Sequence, residues 1–266
     1  MNITLLANRD LASNLALNYL YQGLEPQHVL RVLLSAQVGG RVKKPLALQE
    51  LAFAEQALFN QMIFPALRSR GGKLKDRLLG FDDLKALGLE IKDISSVNCA
   101  QGQQIIRDSK PDLIVSIRFG LILKQAVLAI PEYGVINLHS GKLPDYRGVM
   151  ACFRAMQKNE IQHSSTLHYI RDDSIDCGDI ISYNTTALNY QLSYLENVLN
   201  LYKGGVKQVL RAISTIERDG VVASFPQSSQ GNYYSFPSEA EIDDFRASGL
   251  RLFDYAHLAQ VVEQYL

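Results

Sequence analysis

Asn137 and His139 end an apolar run, Gly134-Val-Ile-Asn-Leu-His139, that breaks at once into a turn-rich segment, Ser140-Gly-Lys-Leu-Pro-Asp-Tyr-Arg-Gly148. Residues two apart on an extended chain project to the same side. The amide and the imidazole are therefore expected to face one cavity, from the carboxyl end of a strand. Further along, Ile175-Asp-Cys-Gly-Asp-Ile-Ile181 supplies a carboxylate, Asp176, in a turn before another apolar run. An amide, an imidazole and a carboxylate form a set suited to acyl transfer to an amine. Each also has a structural reading: Asn137 can end a strand, His139 can be a satisfied half-buried histidine, and Asp176 can be an ordinary turn acid.

The elements that must position these groups follow from the hydrophobic pattern. Ile3–Ala7 reads as a strand and Leu11–Leu20 as the helix after it. His28–Ser35 reads as a second strand, and residues 46–67 carry apolar positions at helical spacing. Pro111–Ile117 is a near-continuous apolar run, the type buried on both faces of a parallel sheet. Val135–Leu138 is the next strand and Val149–Lys158 a helix. Ser165–Ile170 and Asp179–Tyr183 are further strands, followed by a long helix from about Ser193 to Glu217. This alternation predicts an α/β fold with a doubly wound, mostly parallel sheet. Ligands on such sheets sit beyond the carboxyl ends of the strands, where Asn137 and His139 are expected. The composition changes after residue 218. A core of 1–218 and a small C-terminal appendage of 219–266, a hairpin with a helix, are expected.

The 266 residues are 47% hydrophobic and 20% charged, with a formal net charge of zero. No basic excess argues for nucleic acid or a membrane surface. The cationic stretch Arg68–Arg77 contains an acid and reads as a solvated face. The start of the chain lacks the pattern of a signal peptide, and no run reaches the roughly 18 apolar residues of a membrane span. Cys99, Cys152 and Cys177 have no metal-ligand spacing, so free thiols, no metal and a reducing cytoplasm are expected.

The ordered set Asn137-Leu-His139, Leu143-Pro144, Tyr146-Arg147-Gly148 and Asp176-x-Gly178, with Gly120-Leu-Ile-Leu-Lys124 upstream, resembles the folate-dependent formyltransferase superfamily. The resemblance covers roughly residues 105–185, and 1–35 more loosely. It implies a Rossmann-like formyltransferase core and a catalytic trio of Asn137, His139 and Asp176. An amine would attack the formyl carbon of N10-formyltetrahydrofolate, generating a tetrahedral oxyanion. Asn137 and His139 would stabilise that charge, preorganised donors being worth about 3–4 kcal/mol each. Asp176 would orient His139, favour its cationic form and help remove the amine proton. The resemblance also implies a pterin site on the backbone of Gly120, Leu121, Ile122 and Leu123, and on the loop holding Arg171, Asp172 and Asp173. Lys142 can meet an anionic substrate group or point to water, and Arg147 can bind substrate or brace its turn. His168 reads as a structural strand residue, and Cys177 as space-filling. The turn Ala7–Asn14 has no glycine, which argues against a phosphate cradle there. The segment Gly39–Lys44 is similar to a folate-side loop of the tRNA enzymes.

For the acceptor, the tRNA-directed members carry a positively charged C-terminal domain, which this neutral chain does not match. The tail's Pro226-Gln227, Gly231-x-Tyr233-Tyr234 and Ile242-Asp243 resemble the region after the core in amino-sugar formyltransferases. The expected acceptor is a small primary amine, foremost a nucleotide-linked amino sugar, with a homodimer as a further expectation. Hydroxyornithine in siderophore assembly, hydrolysis of the formyl donor by water, and a non-catalytic folate-binding module stay open.

Overall fold

The computed structural model describes residues 1–35, 44–68, 77–228 and 231–266. Residues 39–43 and 69–76, which include most of the folate-side loop and of the cationic stretch, lie outside the described residues. Nine strands occur among the described residues: β1 (Asn2–Asn8), β2 (Val29–Ser35), β3 (Glu90–Asp93), β4 (Leu113–Ile117), β5 (Val135–His139), β6 (Arg147–Gly148), β7 (Gln162–Ile170), β8 (Ile180–Ala187) and β9 (Tyr233–Tyr234). Seven form one sheet in the order β3-β2-β1-β4-β5-β7-β8. The first five run parallel, while β7 and β8 are antiparallel to their neighbours. Short apolar runs such as Leu113–Ile117, buried at every position, form the central strands because helices cover both faces.

One face carries the larger core, which joins Leu15 and Leu20 of the helix Leu11–Gly23 to Phe59, Phe153, Tyr202 and Val209. The other face carries a smaller core around Leu33, Ile106, Ile114 and Val127. The helix Tyr194–Asp219 starts at a capping box, Ser193 with Glu196, and stops at Gly220 in the left-handed conformation. Its first residue, Tyr194, is thereby fixed beside the strand ends.

The pattern at 46–67 resolves into a helix that changes pitch: α-helical over Leu46–Ala52, π-helical over Phe53–Ile63 and α-helical again over Phe64–Arg68. The tail after 218 packs against the core. Phe245 stacks on Phe153 with ring centroids 4.4 Å apart, and Tyr265 donates from Oη to Asn14 Oδ1 at 2.7 Å. Its short strand β9 pairs parallel with β6, so among the described residues β9 is not one arm of a hairpin.

The sheet order reverses between β1 and β4, since successive strands lead away to opposite sides of that pair. A crevice opens at such a switch point, at the carboxyl ends of the strands. Asn8 ends β1 there, and Arg118 follows β4.

Candidate active site

A cavity of about 300 Å³ opens at this switch point. It is lined by Asn137, His139 and Asp176, by the backbone segment Gly120–Leu123, and by Asp172 and Asp173. Asn8, Arg118, Tyr194 and Phe236 line it as well. β5 delivers Asn137 and His139 to the cavity from one side of the strand, as period-two geometry requires.

Asp176 occupies the centre of the polar cluster. Its Oδ2 lies 3.4 Å from His139 Nδ1 and accepts from Gly148 N at 2.9 Å. Its Oδ1 lies 3.5 Å from His168 Nε2 and 3.5 Å from Asn137 Nδ2. One carboxylate thus bridges two imidazoles. Burial pushes its carboxyl up, but the His139 charge, the His168 hydrogen bond and charge, and the Gly148 N–H outweigh burial and hold it down at about 2. The group is therefore an anion at any working pH.

The backbone that aims it is unusual. Asp176 has φ +55°, a left-handed conformation costing a non-glycine residue about 1–2 kcal/mol. Gln227 Nε2 spans the turn, donating to Asp176 O at 2.9 Å and to Gly178 O at 2.7 Å. Gly178 passes so close to Tyr169 that a β-carbon would overlap the Tyr169 carbonyl, which is why a glycine follows the acid by two.

His139 is 7% exposed. Its Nε2 lies 2.7 Å from Tyr146 O, so both ring nitrogens face acceptors, the carbonyl on one side and the Asp176 carboxylate on the other. The loop between His139 and Tyr146 is pinned by Thr166, whose Oγ1 donates to Gly141 O at 2.6 Å and accepts from Leu143 N at 3.1 Å.

His168, read from the sequence as structural, belongs to this cluster. β5 and β7 pair with Asn137 directly opposite His168, which puts both side chains on one face. His168 Nδ1 hydrogen-bonds Tyr169 O at 2.9 Å, and its Nε2 makes the hydrogen bond to Asn137 Nδ2 at 3.0 Å. This bond orients the Asn137 amide. The alternation Thr166, His168, Ile170 was the available signal, but only the antiparallel register gives it meaning.

The structure does not gather every expected residue. Arg171 does not line the cavity; its guanidinium lies over the Tyr169 ring, 4.1 Å from the centroid. Lys142 is exposed, 3.5 Å from Asp145 Oδ2. Arg147 also stands outside the cavity. It donates to Cys177 Sγ and to Gly231 O, both at 3.0 Å, and so braces the Asp176 turn against the tail. Among the described residues, Glu25, His28 and Glu217 group closely enough to hold a metal ion, and none of the three lines the cavity. No helix among the described residues is long and apolar enough to cross a membrane.

A doubly wound α/β sheet with a buried carboxylate–imidazole–amide cluster at its switch point is an arrangement suited to acid–base chemistry. The family model described as formyl transferase matches residues 93–194, which include Asn137, His139, His168 and Asp176. The match covers 102 of the 266 residues, and over it the chain is similar to formyl transferases. It is 28% identical over 243 residues to methionyl-tRNA formyltransferase of Burkholderia multivorans, an alignment covering 85% of this chain and 73% of the relative. Across eight methionyl-tRNA formyltransferases that it matches, the chain spans between 38% and 73% of their length. In fold it is similar to a sugar N-formyltransferase from a Shewanella species, with TM-score 0.56 and 15% identity over 93% of this chain and 79% of the other. It is similar also to an N-formyltransferase of Helicobacter canadensis, solved in complex with folinic acid and dTDP-3-aminofucose. There the TM-score is 0.55 at 20% identity, over 88% of this chain and 71% of the other.

Proposed function

We propose that this chain transfers the formyl group of N10-formyltetrahydrofolate to the primary amine of a small molecule, foremost a nucleotide-linked amino sugar. The observation that carries this reading is the single carboxylate, Asp176, bridging two imidazoles beside an amide in a cavity bordered by open backbone. The segment Gly120–Leu123 supplies that backbone. Gly120 N–H donates to Asn8 Oδ1 at 3.1 Å, and Ile122 O accepts from Asn98 Nδ2 at 2.8 Å. Among the described residues, Leu121 and Leu123 have no such partners for their N–H and C=O groups, which suits the alternating donor–acceptor edge of a pterin.

The amine attacks the formyl carbon and the carbonyl oxygen becomes an oxyanion. In the resting arrangement Asn137 and His139 donate inward, through contacts of 3.5 and 3.4 Å to Asp176. Those contacts are long, and either donor gains by exchanging one for a shorter bond to an oxyanion. His139, held between the Tyr146 carbonyl and the Asp176 carboxylate, contributes as a hydrogen-bond donor. Asp176 takes up the amine proton directly or through water, and the C–N bond to the folate then breaks with the proton returned to its nitrogen.

The acceptor class is supported by the nucleotide-linked amino sugar bound to the Helicobacter canadensis enzyme of the same fold. A net charge of zero weighs against a tRNA acceptor, whose affinity would come largely from phosphate contacts. Self-association of the chain goes with the same reading and is checked by sedimentation at micromolar concentration.

The deciding experiment measures tetrahydrofolate release from N10-formyltetrahydrofolate, first without an acceptor and then with nucleotide-linked amino sugars and hydroxyornithine. Release that requires a nucleotide-linked amino sugar is the expected result. Dependence on hydroxyornithine would reassign the acceptor, equal release without any amine would make the chain a hydrolase, and no release in any arm would overturn the transferase reading.

A further inference from the structure

Arg118 immediately precedes Phe119 and the loop Gly120–Leu123, and it stands at the switch point with φ +58°. A left-handed arginine persists only where its surroundings over-determine it. Here the surroundings are two carboxylates from different elements. Arg118 Nε donates to Asp10 Oδ2 at 3.1 Å, and Nη2 donates to Glu55 Oε2 at 2.8 Å. Asp10 has a second duty, since its Oδ1 accepts from Ser13 N at 2.7 Å and caps the helix Leu11–Gly23. Glu55 reaches the site from the π-helical stretch, where the extra residue per turn changes which side chains face inward.

The backbone leaving this residue is held as well. Asn8, 1% exposed, uses both atoms of its amide: Nδ2 donates to Arg118 O and Oδ1 accepts from Gly120 N. The ends of β1 and β4, the start of one helix and the middle of another therefore meet at one point beneath the cavity. Because both carboxylates already engage its guanidinium, Arg118 is poorly placed to anchor an anionic substrate. Its charge is spent on geometry.

We propose that Arg118 is a positioning residue for the formyl donor: locked to Asp10 and Glu55, and tied through Asn8 to Gly120, it holds the 118–123 backbone in the shape that receives the pterin. This rests on the folate reading above.

Two variants test it. Arg118→Gly removes the side chain while leaving a backbone that adopts positive φ freely. Combined with Asp10→Asn and Glu55→Gln it leaves no buried carboxylate unpaired, a condition that could otherwise prevent folding. Asn8→Ala cuts the tie to Gly120 without altering charge, and decides the matter if the triple variant does not fold. Folinic acid is titrated calorimetrically into the wild-type chain and each folded variant, and melting temperatures are recorded alongside. A Kd at least fivefold weaker in the folded variants is the expected result. A smaller change in Kd, whatever the melting temperature does, overturns the positioning role, because a purely structural tie would lower stability and leave donor affinity alone. Absence of folinic acid binding by the wild-type chain would instead overturn the folate reading itself.

Discussion

A β-carbon placed on Gly141 would lie 2.6 Å from His139 Nε2 and 2.9 Å from Tyr146 O, the two atoms that bond to each other across the turn. Ala151 Cβ would be 2.5 Å away on another side, so the added methyl has no direction in which to relax cheaply. The glycine is required by close approach to the His139 imidazole. Gly141→Ala is therefore expected to displace His139 and lower kcat by about 10²-fold, the scale of a 1 Å misplacement. Folinic acid binding should stay near the wild-type value, which calorimetry checks.

Asp176→Asn keeps the shape of the turn and removes the charge between the two imidazoles. We expect formyl transfer to fall at least 10²-fold, within the range attributed to acid–base groups, with folate binding retained. The same substitution has a stability signature. The Asp176 carboxyl is held at about 2, below its ordinary 3.8, so its stabilisation is present above 3.8 and disappears as pH falls through about 2. That window corresponds to roughly 2 kcal/mol. Denaturant titrations at pH 7 and pH 2 should show the variant less stable at the first and level with wild type at the second.

The strand–helix alternation and the trio Asn137, His139 and Asp176 were legible in the sequence, because both depend on local patterns: apolar periodicity, and side chains beside a Pro- and Gly-rich turn. What stayed hidden depends on tertiary register. His168 joins the cluster only because β7 runs antiparallel to β5 with Asn137 opposite it. Glu90–Asp93 has one buried position in four and gives no apolar run to read as a strand. The π-helical stretch shares its apolar spacing with an ordinary helix over so short a span. Arg171 and Arg147 sit beside the right residues in sequence, yet their long side chains turn to Tyr169 and Cys177 instead of the cavity. Sequence proximity places a backbone far better than it aims a guanidinium.

His168→Leu separates a catalytic support from a packing role. The leucine fills the site but cannot hydrogen-bond Asn137 Nδ2, and it removes one neighbour of Asp176. The Asn137 amide then loses the bond that orients it. A tenfold or greater fall in kcat with an unchanged melting temperature is expected from steady-state kinetics and thermal unfolding. Undiminished turnover would return His168 to the structural role its strand position first suggests.

His163 lies on the same strand, only 5% exposed, beside a second cavity of about 100 Å³ behind the 140–146 loop. Neither ring nitrogen has a hydrogen-bond partner in the protein. Burial lowers its pKa from 6.5 to about 4, because a charged ring there would lose its hydration with nothing to replace it. A folded-state value below the unfolded one means stability that is complete above 6.5 and declines as pH falls towards 4. The shift corresponds to roughly 3 kcal/mol, a large share of the 5–15 kcal/mol typical of a folded domain. His163→Leu has no proton to take up, so its unfolding free energy should change little between pH 7 and pH 4.5 while that of the wild-type chain falls. The Asp176 cluster is on the other side of the loop and Asp176 does not titrate in this window, which leaves His163 as the source of the difference. Parallel acid slopes in the two proteins would show that His163 titrates normally and that the cavity behind the loop is open to water.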